Sequence, residues 1–142
     1  MKELIFSMTL EAEPLSPINM YKVRILRKYG KLIPMMYLDA RFTSYKKAFT
    51  KAVKKIVKRD KIKPYPGAVA VEADLYFGTL RRKDIQNALK LELDALNGLI
   101  YDDDSQVCSV NTQKHFNKDR PRIEIKIYKY PEADFPINTE SN

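Results

Sequence analysis

The chain has 142 residues, with 26 lysines and arginines against 18 aspartates and glutamates, for a formal net charge of +8. That length fits one domain able to bury a real core, the single cysteine excludes an internal disulfide framework and fits a reducing compartment, and no apolar run reaches the length of a membrane span. Acids stand in the N-terminal segment where a signal peptide needs an apolar block, so the expected location is cytoplasmic, and a pI near 9.5 favours polyanionic partners such as nucleic acid, while also fitting a ribosome-associated or membrane-surface protein.

Ile5 to Leu10 reads as a first strand, and EAEPLSPINM with its two prolines breaks regular structure after it. VRILRKYGKLIPMMYL predicts a hairpin around Tyr29-Gly30. From Thr43 to Lys58 the period becomes helical: Tyr45, Ala48, Phe49, Ala52, Val53, Ile56 and Val57 share one face, with Thr43 or Ser44 as the cap. The opposite face carries Lys46, Lys47, Lys51, Lys54, Lys55 and Lys58, which reads either as a solvated surface or as a set of phosphate contacts. KPYPG makes a break. AVAVEADLYF is a strand with Val69, Val71, Ala73 and Leu75 on one side and Glu72, Asp74 and Tyr76 on the other. After a basic loop, a second helix is expected from Asp84 to Leu96, stopped by Asn97-Gly98. Residues 105–114 and 121–130 read as two strands joined by a polar turn. The order β(ββ)αβαββ describes a small single α/β domain with a mixed sheet and two main helices over residues 1–130, followed by a flexible tail at 131–142.

Residues 84–104, DIQNALKLELDALNGLIYDDD, form an acidic island. Six carboxylates and Lys90 give it a charge of −5, so the rest of the chain carries +13. Carboxylates concentrated beside a phosphate-binding surface are costly unless cations neutralise them, and holding Mg²⁺ or Mn²⁺ against a phosphate is one reason to place them there. A solvated acidic helix end is the other reading. Asp102, Asp103 and Asp104 each need solvent, a cation or hydrogen bonds. On the second helix Ile85, Ala88, Leu89, Leu91, Leu93, Ala95 and Leu96 spread over an arc of about 200°, more than one sheet requires, which suggests a symmetry mate across it. Glu92 falls inside that arc. If this helix is straight, Asp84 and Asn97 lie roughly 20 Å apart, and Asp104 reaches Asp84 more easily across two chains than within one. Other chemistries are poorly supported. His115 reads as a surface turn histidine and Cys108 as core, no cysteine–histidine zinc spacing exists, and the four glycines never cluster into a phosphate loop.

RRKDIQNALKLELDALNGLIYDDDSQV resembles the signature of the RusA family of Holliday-junction resolvases: a basic run, D-x-D-N, a lysine three residues on, D-A-L, then D-D-x-Q-V. Arg81, Arg82 and Lys83 match the basic run, Asp84 the first acid, Asn87 the asparagine and Lys90 the lysine. Asp94-Ala95-Leu96 match D-A-L, and Asp103, Asp104, Gln106 and Val107 match the last element. Lys114, the strand at Arg122 and the LSPIN segment fall at family-like spacing.

The resemblance implies a RusA-like fold, a homodimer, branched DNA as partner and Mg²⁺, with Mn²⁺ as an alternative, as the metal; no small-molecule cofactor and no membrane are implied. By that resemblance Asp84 and Asp104, with Asp103 and the neutral oxygen of Gln86, make up the metal set, Lys90 sits near the reacting phosphate, and Arg81, Arg82, Lys83 and Lys114 contact DNA phosphates. The family's second acid is Gln86 here. A glutamine oxygen carries no charge, so metal affinity is expected to fall unless Asp102, Asp103 or Asp74 compensates. A protein that binds junctions and cuts poorly is therefore the alternative, and a basic nucleic-acid-binding module with merely solvated acids a third reading.

Overall fold

The computed structural model describes residues 2–15, 21–80 and 89–137. Its elements run β1 (Leu4–Leu10), β2 (Tyr21–Lys28), β3 (Lys31–Leu38), α1 (Ala40–Asp60), β4 (Val69–Phe77), α2 (Lys90–Ala95), β5 (Val107–Phe116) and β6 (Arg122–Lys129), with a 3-10 turn at Asp104–Gln106. Four strands form a sheet in the order β1-β6-β4-β5. β4 runs parallel to β5 and antiparallel to β6, so the sheet is mixed as expected.

The period-two pattern of β4 decides which face is covered. Val69, Val71, Ala73, Leu75 and Phe77 are buried, and Ile123, Ile125 and Ile127 of β6 with Phe6 and Met8 of β1 extend the same apolar surface. Phe49 and Val53 of α1, Leu89, Leu96, Ile100 and Tyr101 close over it in one core. Each such side chain contributes roughly 1.5–3 kcal/mol by leaving water. The second face of the sheet is polar: Glu72, Asp74 and Tyr76 alternate with the buried set. None of the described helices is long and apolar enough to cross a membrane.

β2 and β3 pair as a separate two-stranded ribbon. Its turn residues Tyr29 and Gly30 both have positive φ, 55° and 74°, as a two-residue hairpin turn requires. The helix α1 starts earlier than its apolar period implied. Asp39, not Thr43 or Ser44, is the cap, accepting from the Arg41 N–H at 2.9 Å. Asp39 is buried yet ionised, because Lys22 at 2.7 Å and the Arg41 backbone N–H hold its pKa down to about 2. The buried stripe of α1 is Phe42, Tyr45, Phe49 and Val53, while Ala48 is exposed.

Further expectations meet a different arrangement. Among the described residues the second helix begins at Lys90, with Leu89 in a non-helical turn (φ −104°, ψ 12°), and the expected start at Asp84 lies outside the described residues. The described apolar arc is also largely taken by the chain's own core: Leu89, Ala95 and Leu96 are buried and Leu93 packs against them. Cys108 is half-buried on edge strand β5, not in the core. His115 lies in β5, not in a turn, and its Nε2 meets Asp74 Oδ1 at 2.8 Å while its ring stacks on Tyr76. Residues 131–135 form a hydrogen-bonded turn from Pro131 to Asp134 and Phe135; 138–142 lie outside the described residues.

Candidate active site

β4 and β5 are parallel, so the segment between Phe77 and Val107 carries the chain from one end of the sheet back to the other. Where it leaves β4, the Gly78 N–H donates to Glu13 Oε2 at 2.9 Å. A Cβ at Gly78 would stand 2.8 Å from Pro121 Cγ, so any larger residue at this exit from the strand would force Pro121 to shift. Where the segment rejoins the sheet it is pinned by Tyr101. That ring is fully buried, its hydroxyl donates to the Leu93 carbonyl, and its backbone pairs with Tyr65 and Asn97. Gly98, with φ 76°, makes the tight return and donates its N–H to the Tyr101 carbonyl at 2.7 Å.

The D-D-x-Q element acquires a physical reason here. Gln106 is buried, and its side-chain amide donates to the carbonyls of Tyr65 at 2.6 Å and Gly67 at 2.8 Å. Its Oε1 accepts from the Asp103 N–H at 2.9 Å, while Asp103 Oδ2 accepts from the Ser105 N–H at 3.0 Å. This is a reciprocal cap on the 3-10 turn. Ser105, through hydroxyl and amide, holds the Asp103 carboxyl below its usual range, so it stays ionised. Asp104 follows as the first residue of the turn, exposed, as is Asp102. Burial pushes the Tyr101 phenol upward, and the charges of Asp104, Asp94 and Asp103 push it further.

α2 joins this acidic edge to α1. Asp94 Oδ2 pairs with Lys46 Nζ at 2.7 Å. Glu92, the acid inside the apolar arc, is 3% exposed between the helices. Burial raises its pKa to about 7 against the pull of its own backbone N–H and of the facing Tyr45 hydroxyl. Neither Glu92 Oε2 nor the Tyr45 hydroxyl has a hydrogen-bond partner among the described residues. The folded state therefore holds the Glu92 proton more tightly than the unfolded chain, and stability falls as pH rises from about 4.5 to about 7. Glu92→Gln keeps the shape and removes the titration. Relative to this variant, the wild type should lose about 2–3 kcal/mol between pH 5 and pH 8 in urea titrations; parallel pH profiles would show that Glu92 does not titrate on folding.

Of the residues singled out by sequence, Asp103 and Asp104 sit together on the 3-10 turn, and Asp94 lies on α2 paired with Lys46. Lys90 is exposed at the start of α2, and Lys114 is exposed on β5 opposite Leu75. Asp84 and Gln86, with Arg81, Arg82 and Lys83, lie outside the described residues. Asp74 is committed to His115 on the polar sheet face. Among the described residues no three His, Cys, Asp or Glu side chains converge as a metal-holding group. The donor chemistry still suits a hard cation: Asp104 offers an exposed carboxylate on a backbone fixed by Gln106, and one or two carboxylates with waters are what Mg²⁺ uses. Glu13, Gly78 and the anchoring role of Gln106 were not apparent from the sequence, since each depends on a partner 39 or more positions away.

Comparison with known proteins agrees with these features. A search of curated proteins finds no match. The family model described as endodeoxyribonuclease RusA matches residues 14–128, which spans the ribbon, both helices, the acidic edge and nearly all of β6. The chain belongs to the RusA endodeoxyribonuclease family.

Proposed function

We propose that this chain is a divalent-metal-dependent endonuclease that resolves four-way DNA junctions by paired symmetric nicks. The observation that carries it is Asp104, an exposed carboxylate on a turn locked by buried Gln106, within a +8 member of a DNA-cutting family. Asp84 and Asp104 would hold Mg²⁺ or Mn²⁺, with Gln86 offering a neutral oxygen and Asp103 an ionised neighbour. When bound, such a metal lowers the pKa of water and neutralises charge on the scissile phosphate. Lys90 stabilises negative charge developing on that phosphate. Arg81, Arg82, Lys83 and Lys114 hold phosphates and fix the register of the DNA without reading bases. A four-way junction with two equivalent cuts calls for two sites, hence a homodimer. The ribbon supports that stoichiometry: Val23, Ile25, Leu32 and Met36 stand 64–69% exposed on one of its faces, and an isolated two-stranded ribbon is marginal in water without a partner surface.

The test is nicking of a labelled synthetic junction with Mg²⁺, with Mn²⁺ and with chelator, against linear duplex of the same sequence. Metal-dependent paired nicks confirm the reading. Selective binding of the junction with no nicking under either metal replaces it with the non-catalytic one. Gln86→Asp should raise the nicking rate or lower the Mg²⁺ concentration needed, because it restores one negative ligand. An unchanged metal titration would show that another acid already fills that position.

A further inference from the structure

We propose that the outer stripe of α1 is a track for the phosphate backbone of a duplex DNA arm, apart from the acidic edge where cutting is placed. The inference rests on the DNA-cutting reading above. Thr43, Lys46, Lys47, Thr50, Lys51 and Lys54, with Leu38 at one end, line a groove of about 580 Å³. These positions recur every three or four residues along α1 and carry only threonine and lysine. The stripe is roughly 16 Å long at 1.5 Å per residue, and a duplex presents on the order of ten phosphates over that length.

A solvated lysine face usually stands convex in water. This one borders a groove, with four lysines set within three turns of one helix. Among the described residues, no acid pairs with Lys47, Lys51 or Lys54. Unneutralised cations set close together repel one another, and phosphates relieve that repulsion by displacing condensed counterions. Lys46 is the exception that fixes the groove's place. Its bond to Asp94 joins the stripe to α2, so a backbone lying along α1 passes beside the segment that leads to Asp102–Asp104. The ligand class follows from the donors: a continuous polyanion met by ammonium groups, with the Thr50 hydroxyl as an additional donor and no group suited to reading bases.

The test compares two double variants of equal charge. Lys51→Gln/Lys54→Gln removes two cations from the groove and leaves Lys46 in place. Lys118→Gln/Lys126→Gln removes two from elsewhere, both exposed. Junction and linear-duplex affinities are measured by fluorescence anisotropy across a salt series, with thermal melting as a check that both variants fold. The groove variant should bind at least tenfold more weakly at moderate salt, and the slope of log affinity against log salt should shrink by about 1.8, the value for two lost phosphate contacts. The control should stay near wild type. Equal losses in both variants would reduce the effect to net charge and overturn the track. A groove variant indistinguishable from wild type would overturn it too, while wild-type junction nicking would leave the parent reading standing. Failure of the wild type to bind any DNA would remove both.

Discussion

Asp104→Asn should lower junction nicking by at least about 100-fold while junction affinity holds or rises. Loss of a group that only supports a metal ligand commonly costs 10–100-fold, and a ligand itself costs more. The substitution preserves volume and removes one negative charge from an exposed position, so the fold should not change. DNA binding should not suffer, because a carboxylate beside phosphate is repulsive until a cation sits between them. The contrast within the turn sharpens the test. Asp103 already spends an oxygen on the Ser105 N–H, so Asp103→Asn should cost both activity and some stability, whereas Asp104→Asn should cost activity alone. Asp84→Asn should behave as Asp104→Asn does. Wild-type nicking by either single variant, measured under single-turnover conditions, would remove that residue from the metal set.

Gln106→Ala should be the most damaging substitution outside the apolar core. It strands two carbonyls and one N–H around a buried side chain, at Tyr65, Gly67 and Asp103. Each unsatisfied buried group costs about 1–3 kcal/mol, so the loss should reach roughly 3–4 kcal/mol after relaxation, or on the order of 10 °C in melting temperature. Gln106→Glu should be no better, because a carboxylate cannot donate to two carbonyls. Activity should fall even where the variant remains folded, since the backbone carrying Asp104 loses its anchor. Urea unfolding within about 0.5 kcal/mol of wild type would show that the amide is not the anchor.

Local patterns were legible in the sequence wherever local physics decides. The alternation of Val69 to Phe77 gave a half-buried strand, Tyr29-Gly30 gave a ribbon turn, and the Tyr45–Phe49–Val53 spacing gave the inner face of α1. What escaped depends on pairing between distant strands and segments. The His115–Asp74 contact exists because β5 lies parallel beside β4, so that Tyr76 aligns with His115. On the other side of β4, Arg122 of β6 lies over the same Tyr76 ring at 3.6 Å. Asp39 became a helix cap because Lys22 from the ribbon neutralises it in a buried position that a loop reading does not anticipate. The family motif identified Gln106 as a matching letter, but two of its three hydrogen bonds required the Tyr65–Gly67 loop to be in place. Asp103 and Asp104 sit together on the 3-10 turn held by Gln106, while the expected helix start at Asp84 lies outside the described residues, among which α2 begins at Lys90.

The position of β6 has a consequence for synthesis. It is the last strand described, yet it sits inside the sheet, bonded to β1 on one side and β4 on the other. Until residues 122–129 leave the ribosome, β1 has no strand partner among the described residues, and the apolar face of β4 lacks the three isoleucines that extend it. The nascent chain must therefore carry apolar β1 and β4 segments without their partner throughout most of translation, a state prone to mispairing. Closure of the domain waits on long-range pairings, which slow folding. Slowing translation before residue 122 should lengthen that exposure and raise the need for chaperones, whereas ribbon and α1, built from near neighbours in sequence, can form as they emerge.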